Sequence, residues 1–373
     1  MTTARPNGLP QGADKLRVGV VGLGYAGVTI AESYAAIPDV EVVAIAGQED
    51  EQAASVAVRL HIASTYHFWE EMLQNEQLDI VSICAPNSLH CPIAIAAMEA
   101  GAHVLCEKPL ATNSEEALRM VRKAEFTNRV LATVFNYRHR GDVRVLRQIV
   151  RDGTLGRVYY AKASWMRRRH YDVSGWYTSK SASGGGPVID LGVHVLDLVL
   201  FLLGEPAVTR VSGATYAALV PRWLASQGRD PASWEVEDLG AGMLSTKDGT
   251  AIMLEASWAS HGAHADDEMT ITLYGTDAGA SLRVRDYAPR GSLRLFGELH
   301  GQLMDTRASV PTGDGHRGVA REFVSVIRTG DWSAHRGYEG LERSRILDAF
   351  YRSAELGREV VLDEQTRRPV EQR

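Results

Sequence analysis

Short apolar, β-branched runs alternate with longer amphipathic stretches from Leu16 onward. RVGVVG, VEVVAIAG, DIVSICAP, HVLCE and RVLATVF recur at intervals of about 20 to 30 residues, the spacing that crossover helices between parallel strands require. The pattern predicts a doubly wound α/β domain over 15–137. Its helices carry boundary signals: Thr112 with Glu115 reads as a capping box ahead of EEALRMVRKAEF, and Gly101 follows IAIAAMEA as a stop. After about Tyr137 the rhythm changes. A helix, DVRVLRQIVRDG, precedes the strand RVYYAKASWM, and the glycine-rich turn SGGGP at 183–187 leads into an apolar helix. From 207 to 300 most segments alternate with period two, as in an open, largely antiparallel sheet. Helical periodicity returns from VAREFVSVIRTG to ILDAFYRSAELG. The expected organisation is a disordered tail over 1–14, the doubly wound domain over 15–137 and a second α/β domain over 138–373.

A chain of 373 residues fits two domains, and 45% apolar with 23% charged residues is the balance of a folded globular protein. The net charge of -6 argues against a polyanion-binding surface, so nucleic acid is not an expected partner. The three cysteines, Cys84, Cys91 and Cys106, form no CxxC pair and read as buried thiols in a reducing compartment. The run VLDLVLFLLG at 195–204 contains Asp197 and falls short of the ~20 residues that span a bilayer. MTTARPNGLPQGAD lacks the apolar stretch of a secretory signal. No membrane partner and a cytoplasmic location are therefore expected.

VGVVGLGYAG sets Gly22, Gly24 and Gly27 in GxGxxG spacing, with Tyr25 and Ala26 between, after the first strand and at the opening of a helix. The first glycine permits the tight turn, the second lets a pyrophosphate approach the backbone, and the third lets helix and strand pack closely. A dinucleotide is the implied ligand. About 20 residues further on, where an acidic residue usually binds the ribose hydroxyls, stand Gly47 and Gln48. GQEDEQ offers three acids and no base to a 2'-phosphate. NAD is the expected cofactor, with NADP as the alternative and Gln48 as the candidate ribose partner.

Two stretches carry candidate chemistry. LCEKP ends the strand HVLCE at the carboxyl edge of the sheet, where open α/β domains bind their ligands. Pro109 steers Lys108 away from helical backbone and suits a cis bond, and Glu107 is positioned to hold the ammonium. In GGGPVIDLGVHVLDL, a helix would place Asp190, His194 and Asp197 on one stripe. A histidine between carboxylates suits proton transfer. The same residues also suit a buried, satisfied histidine, or a metal site, although no further ligand stands at diagnostic spacing and no metal is expected. In SWMRRRHYDVSGWYTSK, Trp165, Trp176 and Tyr177 offer flat faces to a sugar or to the core. Strand alternation would set Arg167 and Arg169 against Arg168.

Taken together, GLGYAG, APNSLH, CEKPLA, FNYRHRGDVRVLRQIVRDGTLGRV and GGGPVIDLGVHVLDLVLFLLG resemble the glucose-fructose oxidoreductase, inositol dehydrogenase and rhizopine catabolism (Gfo/Idh/MocA) family, over roughly residues 15 to 360. The resemblance implies an N-terminal Rossmann domain and a C-terminal α/β domain whose open sheet mediates oligomerisation as a homodimer or homotetramer. It also implies NAD(P)-dependent chemistry on the CH-OH groups of sugars and polyols. Carried over by position, the catalytic residues are Lys108, Asp190 and His194. The expected cofactor contacts are Gly22, Gly24, Tyr25, Ala26, Gly27, Gln48, Ala85, Pro86, Asn87, His90, Glu107, Lys108 and Asn136. The expected substrate contacts are Lys108, Tyr137, Arg168, Trp176, Asp190 and His194. Gly47 departs from the Asp or Ser-Arg of many relatives. Two other readings share the fold: a glycosidase that works by transient oxidation on bound NAD, and a non-enzymatic cofactor-sensing regulator.

Overall fold

The N-terminal runs assemble as a six-stranded parallel sheet in a computed structural model, which describes residues 15–169 and 173–363. The segment 1–14, expected as a disordered tail, lies outside the described residues. The strands are β1 (Leu16–Val21), β2 (Val40–Ala46), β3 (Ser64–Tyr66), β4 (Ile80–Ile83), β5 (His103–Cys106) and β6 (Leu131–Thr133). Their order, β3-β2-β1-β4-β5-β6, is that of a dinucleotide-binding sheet. β4 and β5 are buried at every residue, because helices cover both faces of a parallel sheet. The short edge strand β3 escapes the sequence pattern, since its three residues, STY, contain no apolar run. The expected capping box at Thr112 is displaced as well. The helix begins at Ser114, and the Asp348 carboxylate accepts its amide at 2.7 Å.

Two compact units emerge. The first comprises the chain up to Leu110, Glu115–Val134 and His316–Tyr338, and the second Ala111–Ser114, Phe135–Gly315 and the chain from Glu339. The division thus departs from a single boundary after Tyr137. The helix Gly315–Thr329 carries a 3.6-residue stripe of Val319, Ala320, Phe323, Val324 and Ile327, which joins Leu16, Val18, Ile30 and Val130 in one core. Sequence distance hides this return, because periodicity marks a helix but not the sheet it covers.

His103 on β5 is nearly fully buried, packs edge-on against Trp332 and accepts the Val130 amide at Nδ1 (3.0 Å). Burial, and then the charges of Arg129 and Arg336, lower its pKa to about 3. The folded state therefore holds a neutral ring that the unfolded chain protonates near pH ~6.5. Its contribution is complete above that value and is lost as pH falls, at about 1.4 kcal/mol per unit. Urea unfolding at pH 7 and pH 5.5 should show the loss in the wild type and a flatter response in His103→Asn, whose side-chain oxygen accepts the same amide. An unchanged slope in the variant would assign the effect elsewhere.

The second unit is built on a nine-stranded sheet of β7 (Val158–Arg167), β8 (Val208–Tyr216), β9 (Leu239–Thr246), β10 (Ala251–Ser257), β11 (Asp267–Gly275), β12 (Gly279–Arg285), β13 (Ser292–Leu299), β14 (Gln302–Arg307) and β15 (Val360–Val361). The order is β14-β13-β12-β11-β7-β10-β9-β8-β15, with β7 and β10 as the one parallel pair. Along β7, Val158, Ala161, Ala163 and Trp165 enter a core shared with Val188, Val195, Leu198 and Val199. The helical stretch Lys180–Leu203 is long and apolar enough to cross a membrane by length and composition, a longer span than the sequence run suggested. Yet 83% of its apolar window is buried inside the protein, as befits a core helix. At the sheet edge, every residue of β14 is exposed.

Candidate active site

In the first unit the nucleotide loop joins β1 to the helix Tyr25–Ala35. Gly22 has a φ of +88°, and a Cβ on Gly27 would lie 1.8 Å from the Gly22 carbonyl oxygen, so both positions exclude a side chain. Gly24 differs: nothing stands within 4 Å of where its Cβ would be. Open space over the amino end of a helix, beside exposed Tyr25, is the shape a dinucleotide pyrophosphate fills. Gly24→Ala should leave thermal stability unchanged, because its φ of -63° suits any residue, yet weaken NAD binding by at least ~10-fold, about 1.4 kcal/mol. Titration of NAD into the variant checks this; wild-type affinity would place the nucleotide elsewhere.

The missing carboxylate at Gly47 has a local cause. A Cβ there would meet Leu23 Cδ1 at 2.9 Å, so the position normally given to an acid is taken by the side chain of the glycine loop itself. Gln48 beside it is exposed. The acids that follow are partly engaged, Asp50 with His67 at 3.1 Å.

Ala85, Pro86 and Asn87 form the turn from β4 into the helix Asn87–Glu99. His90, one turn along that helix, has 0% exposure. Its Nδ1 lies 2.9 Å from the Pro109 carbonyl oxygen and its Nε2 3.0 Å from that of Ala85. The expected direct cofactor contact through this ring is therefore corrected: the ring is enclosed in the protein between two backbone carbonyls. Burial lowers its pKa, against the two carbonyls and Glu107.

Lys108 is half-buried, and the Lys108–Pro109 bond is cis. The Glu107 amide donates to Ile83 O at 2.8 Å, and one Glu107 carboxylate oxygen accepts the Lys108 amide at 3.1 Å. The other is buried without a hydrogen bond, 3.6 Å from His316 Nε2. His316 was missed by sequence reading, because nothing in its local pattern ties it to residue 107. Burial pushes the Cys84 and Cys106 thiols well above their ordinary pKa, which leaves them poor nucleophiles.

In the second unit Asp190 and His194 stand where the glycine turn enters the core helix. Glu237, also missed, shapes that entry: it accepts the amides of Gly186 (2.9 Å) and Val188 (3.1 Å) and the Tyr351 hydroxyl (2.9 Å). Residues Val188–Gly192 form a π-helical turn before the α-helix Val193–Leu203, a widening often found at functional sites. Asp190 accepts the Trp258 indole N–H at 3.0 Å. His194 is buried, with its ring 4.9 Å from Tyr137 and 5.5 Å from Trp165. Asn136 and Tyr137 open the short helical turn Asn136–His139.

His194 and Asp197 stand on one α-helix, Val193–Leu203, and Asp197 is committed to arginines. It accepts from Arg138 Nε at 2.8 Å and Arg343 Nε at 3.0 Å, and Arg343 pairs in turn with Glu205 at 2.7 and 2.8 Å. Burial opposes the Arg343 charge, but Glu205 and Asp197 outweigh it and raise its pKa. With Asp197 committed to arginines, the Asp190–His194–Asp197 metal set does not assemble.

β7 ends at Arg167, so the expected alternation of three arginines stops there. Arg167 Nε donates to Asp267 at 2.6 Å, and its guanidinium also bonds the Tyr287 hydroxyl. Trp165, nearly fully buried, donates to the other oxygen of Asp267 at 2.7 Å. Arg167, Arg168, Arg169, Asp266 and Asp267 line a cavity of about 490 Å³. Trp176 stacks on Tyr177 at 3.9 Å in the turn Gly175–Thr178.

Comparison with known proteins adds a second line of observation. Residues 16–135 match a family model described as an oxidoreductase family with an NAD-binding Rossmann fold, and 143–281 match the GFO/IDH/MocA C-terminal domain. The chain is 31% identical over 353 residues to the D-glucoside 3-dehydrogenase of Escherichia coli (strain K12), covering 93% of this chain and 97% of that one. It is 29% identical over 303 residues to the levoglucosan dehydrogenase of Pseudarthrobacter phenanthrenivorans, covering 75% and 76%. A solved levoglucosan dehydrogenase in complex with NADH and levoglucosan superposes with a TM-score of 0.81 at 25% identity, over 93% of this chain and 99% of that one.

Proposed function

The chain belongs to the Gfo/Idh/MocA family of NAD-binding oxidoreductases, and from that premise we propose that this sugar oxidoreductase acts on a secondary alcohol of an uncharged sugar or glycoside. The observation that carries the substrate class is that two of the three arginines lining the cavity are matched by carboxylates. Arg167 is committed to Asp267, and Arg168 faces Asp266 at 4.0 Å, so paired donors and acceptors meet hydroxyls better than they meet a free anion.

NAD supplies a hydride acceptor in this reaction. The substrate hydroxyl must lose its proton as the carbon loses hydride, and His194 takes it. Lys108 donates to the same oxygen and stabilises developing alkoxide. Asp190, held by Trp258, orients the ring or the sugar. The reverse reaction exchanges these roles. Gln48 serves the ribose hydroxyls, and the flat faces of Trp176 and Tyr177 serve sugar C–H groups. The enzyme works in the cytoplasm as a homo-oligomer through the exposed face of the second sheet, to which Leu299, Leu303 and Met304 contribute apolar surface.

Absorbance at 340 nm decides the reading, with NAD and NADP offered separately against methyl glucosides, free sugars, inositols and sugar phosphates. NADH formed with a neutral glycoside or sugar is the expected result. Reduction only with a phosphorylated sugar would overturn the substrate class. Aglycone release without net NADH would move the enzyme to oxidation-assisted glycoside cleavage.

A further inference from the structure

Lys108 sits in a turn whose backbone is fixed from several sides. Glu107, on its amino side, is tied to β4 through Ile83, and its carboxylate takes the Lys108 amide. Two residues on, the Leu110 carbonyl oxygen lies 3.7 Å from Cys106 Sγ. Between these, the Pro109 carbonyl points into the protein interior, and its partner there is His90. The same imidazole reaches the carbonyl of Ala85, in the turn that leaves the neighbouring strand. β4 and β5 are paired at Ile83 and Cys106, so the two turns leave the sheet side by side and the ring spans them.

We propose that His90 is a positioning residue for Lys108: wedged between the Ala85 and Pro109 carbonyls and donating its one N–H to one of them, it holds the Ala85–Asn87 turn and the lysine's turn at a fixed spacing. The chemistry of the ring suits the task. A neutral imidazole is flat, has one N–H and only two side-chain torsions to fix, so it can fill the gap between two carbonyls while donating to one of them. Glutamine can reach one of them and leucine neither. Because the ring is wholly buried, it acts through the backbone and not by touching a ligand. Its effect should then fall on the placement of the ammonium, where a shift of ~1 Å can cost ~10²-fold in rate.

The inference rests on the proposed role of Lys108 and is tested together with it in a double-mutant cycle on the full chain. His90→Leu should lower kcat by ~10- to 100-fold with NAD affinity within about threefold of wild type, a loss smaller than one ~1.4 kcal/mol decade. In a Lys108→Ala background, already slowed, adding His90→Leu should cost nothing more. His90→Gln, which retains one donor, should fall between wild type and His90→Leu and supplies the same cycle should the leucine variant fail to fold. An equal loss in both backgrounds would make His90 a structural residue only, and wild-type kcat in both His90 variants would overturn the proposal outright. Wild-type turnover in Lys108→Ala alone would instead remove the role assigned to the lysine, and the clamp's catalytic meaning with it.

Discussion

His194→Ala should bind NAD as the wild type does and turn over at least ~10²-fold more slowly, the usual scale for loss of a general acid-base group. The nucleotide loop and His194 belong to different compact units, so removing the ring leaves the glycine cradle as it is. The ring is buried against Tyr137 and Trp165, which fix its plane and would keep the remaining site in shape around the smaller side chain. Fluorescence titration with NAD separates binding from chemistry, and steady-state rates at saturating substrate give the turnover. Wild-type kcat in this variant would remove His194 from proton transfer and leave that step to Lys108 or Asp190. Loss of NAD binding together with turnover would show that the substitution acts on the fold.

Arg343→Met should lower the stability of the protein by about 3–5 kcal/mol, because it removes one partner from a buried ionic set. Arg343 is 1% exposed and bridges Asp197 and Glu205. Without it Glu205 faces the more distant Arg138, at 3.5 Å, a guanidinium already shared by Asp197 and Glu339. Methionine fills much of the same volume, so the cost is that of charge and not of a cavity. Urea unfolding followed by circular dichroism measures it. Neutralising the exposed end of a surface pair, as in Arg59→Met opposite Glu32, at 3.1 Å with both side chains about half exposed, should cost under ~1 kcal/mol. Comparable losses in both variants would show that burial does not set the energetics.

The sheet of the first unit was legible from spacing because parallel strands covered on both faces are mostly apolar, as β1, β2, β4 and β5 are. β3 was not, since three residues at an edge need no hydrophobic run. The nucleotide loop was readable for a steric reason: Gly22 and Gly27 exclude side chains, and sequence records exclusion well. Contacts made across sequence distance were the hidden part. Asp197 looked like a partner of His194 because straight helical spacing puts them on one stripe. The arrival of Arg138 and Arg343, which commits Asp197 to them, has no local signature. His90 was assigned to the cofactor because motif position does not say which way a side chain points. Glu237 and His316 were invisible for the same reason that the return of the helix Gly315–Thr329 to the core of the first unit was.

That helix also governs how the protein can be made. Val319, Phe323 and Ile327 complete the apolar core of the first unit, but they leave the ribosome only after the whole of the nine-stranded sheet except β15 has been synthesised. The nascent nucleotide-binding half must therefore wait with an uncovered greasy face while the later sheet is made, a natural client for a holdase chaperone. Truncation at residue 137, where the sequence rhythm changes, would yield a polypeptide permanently in that waiting state.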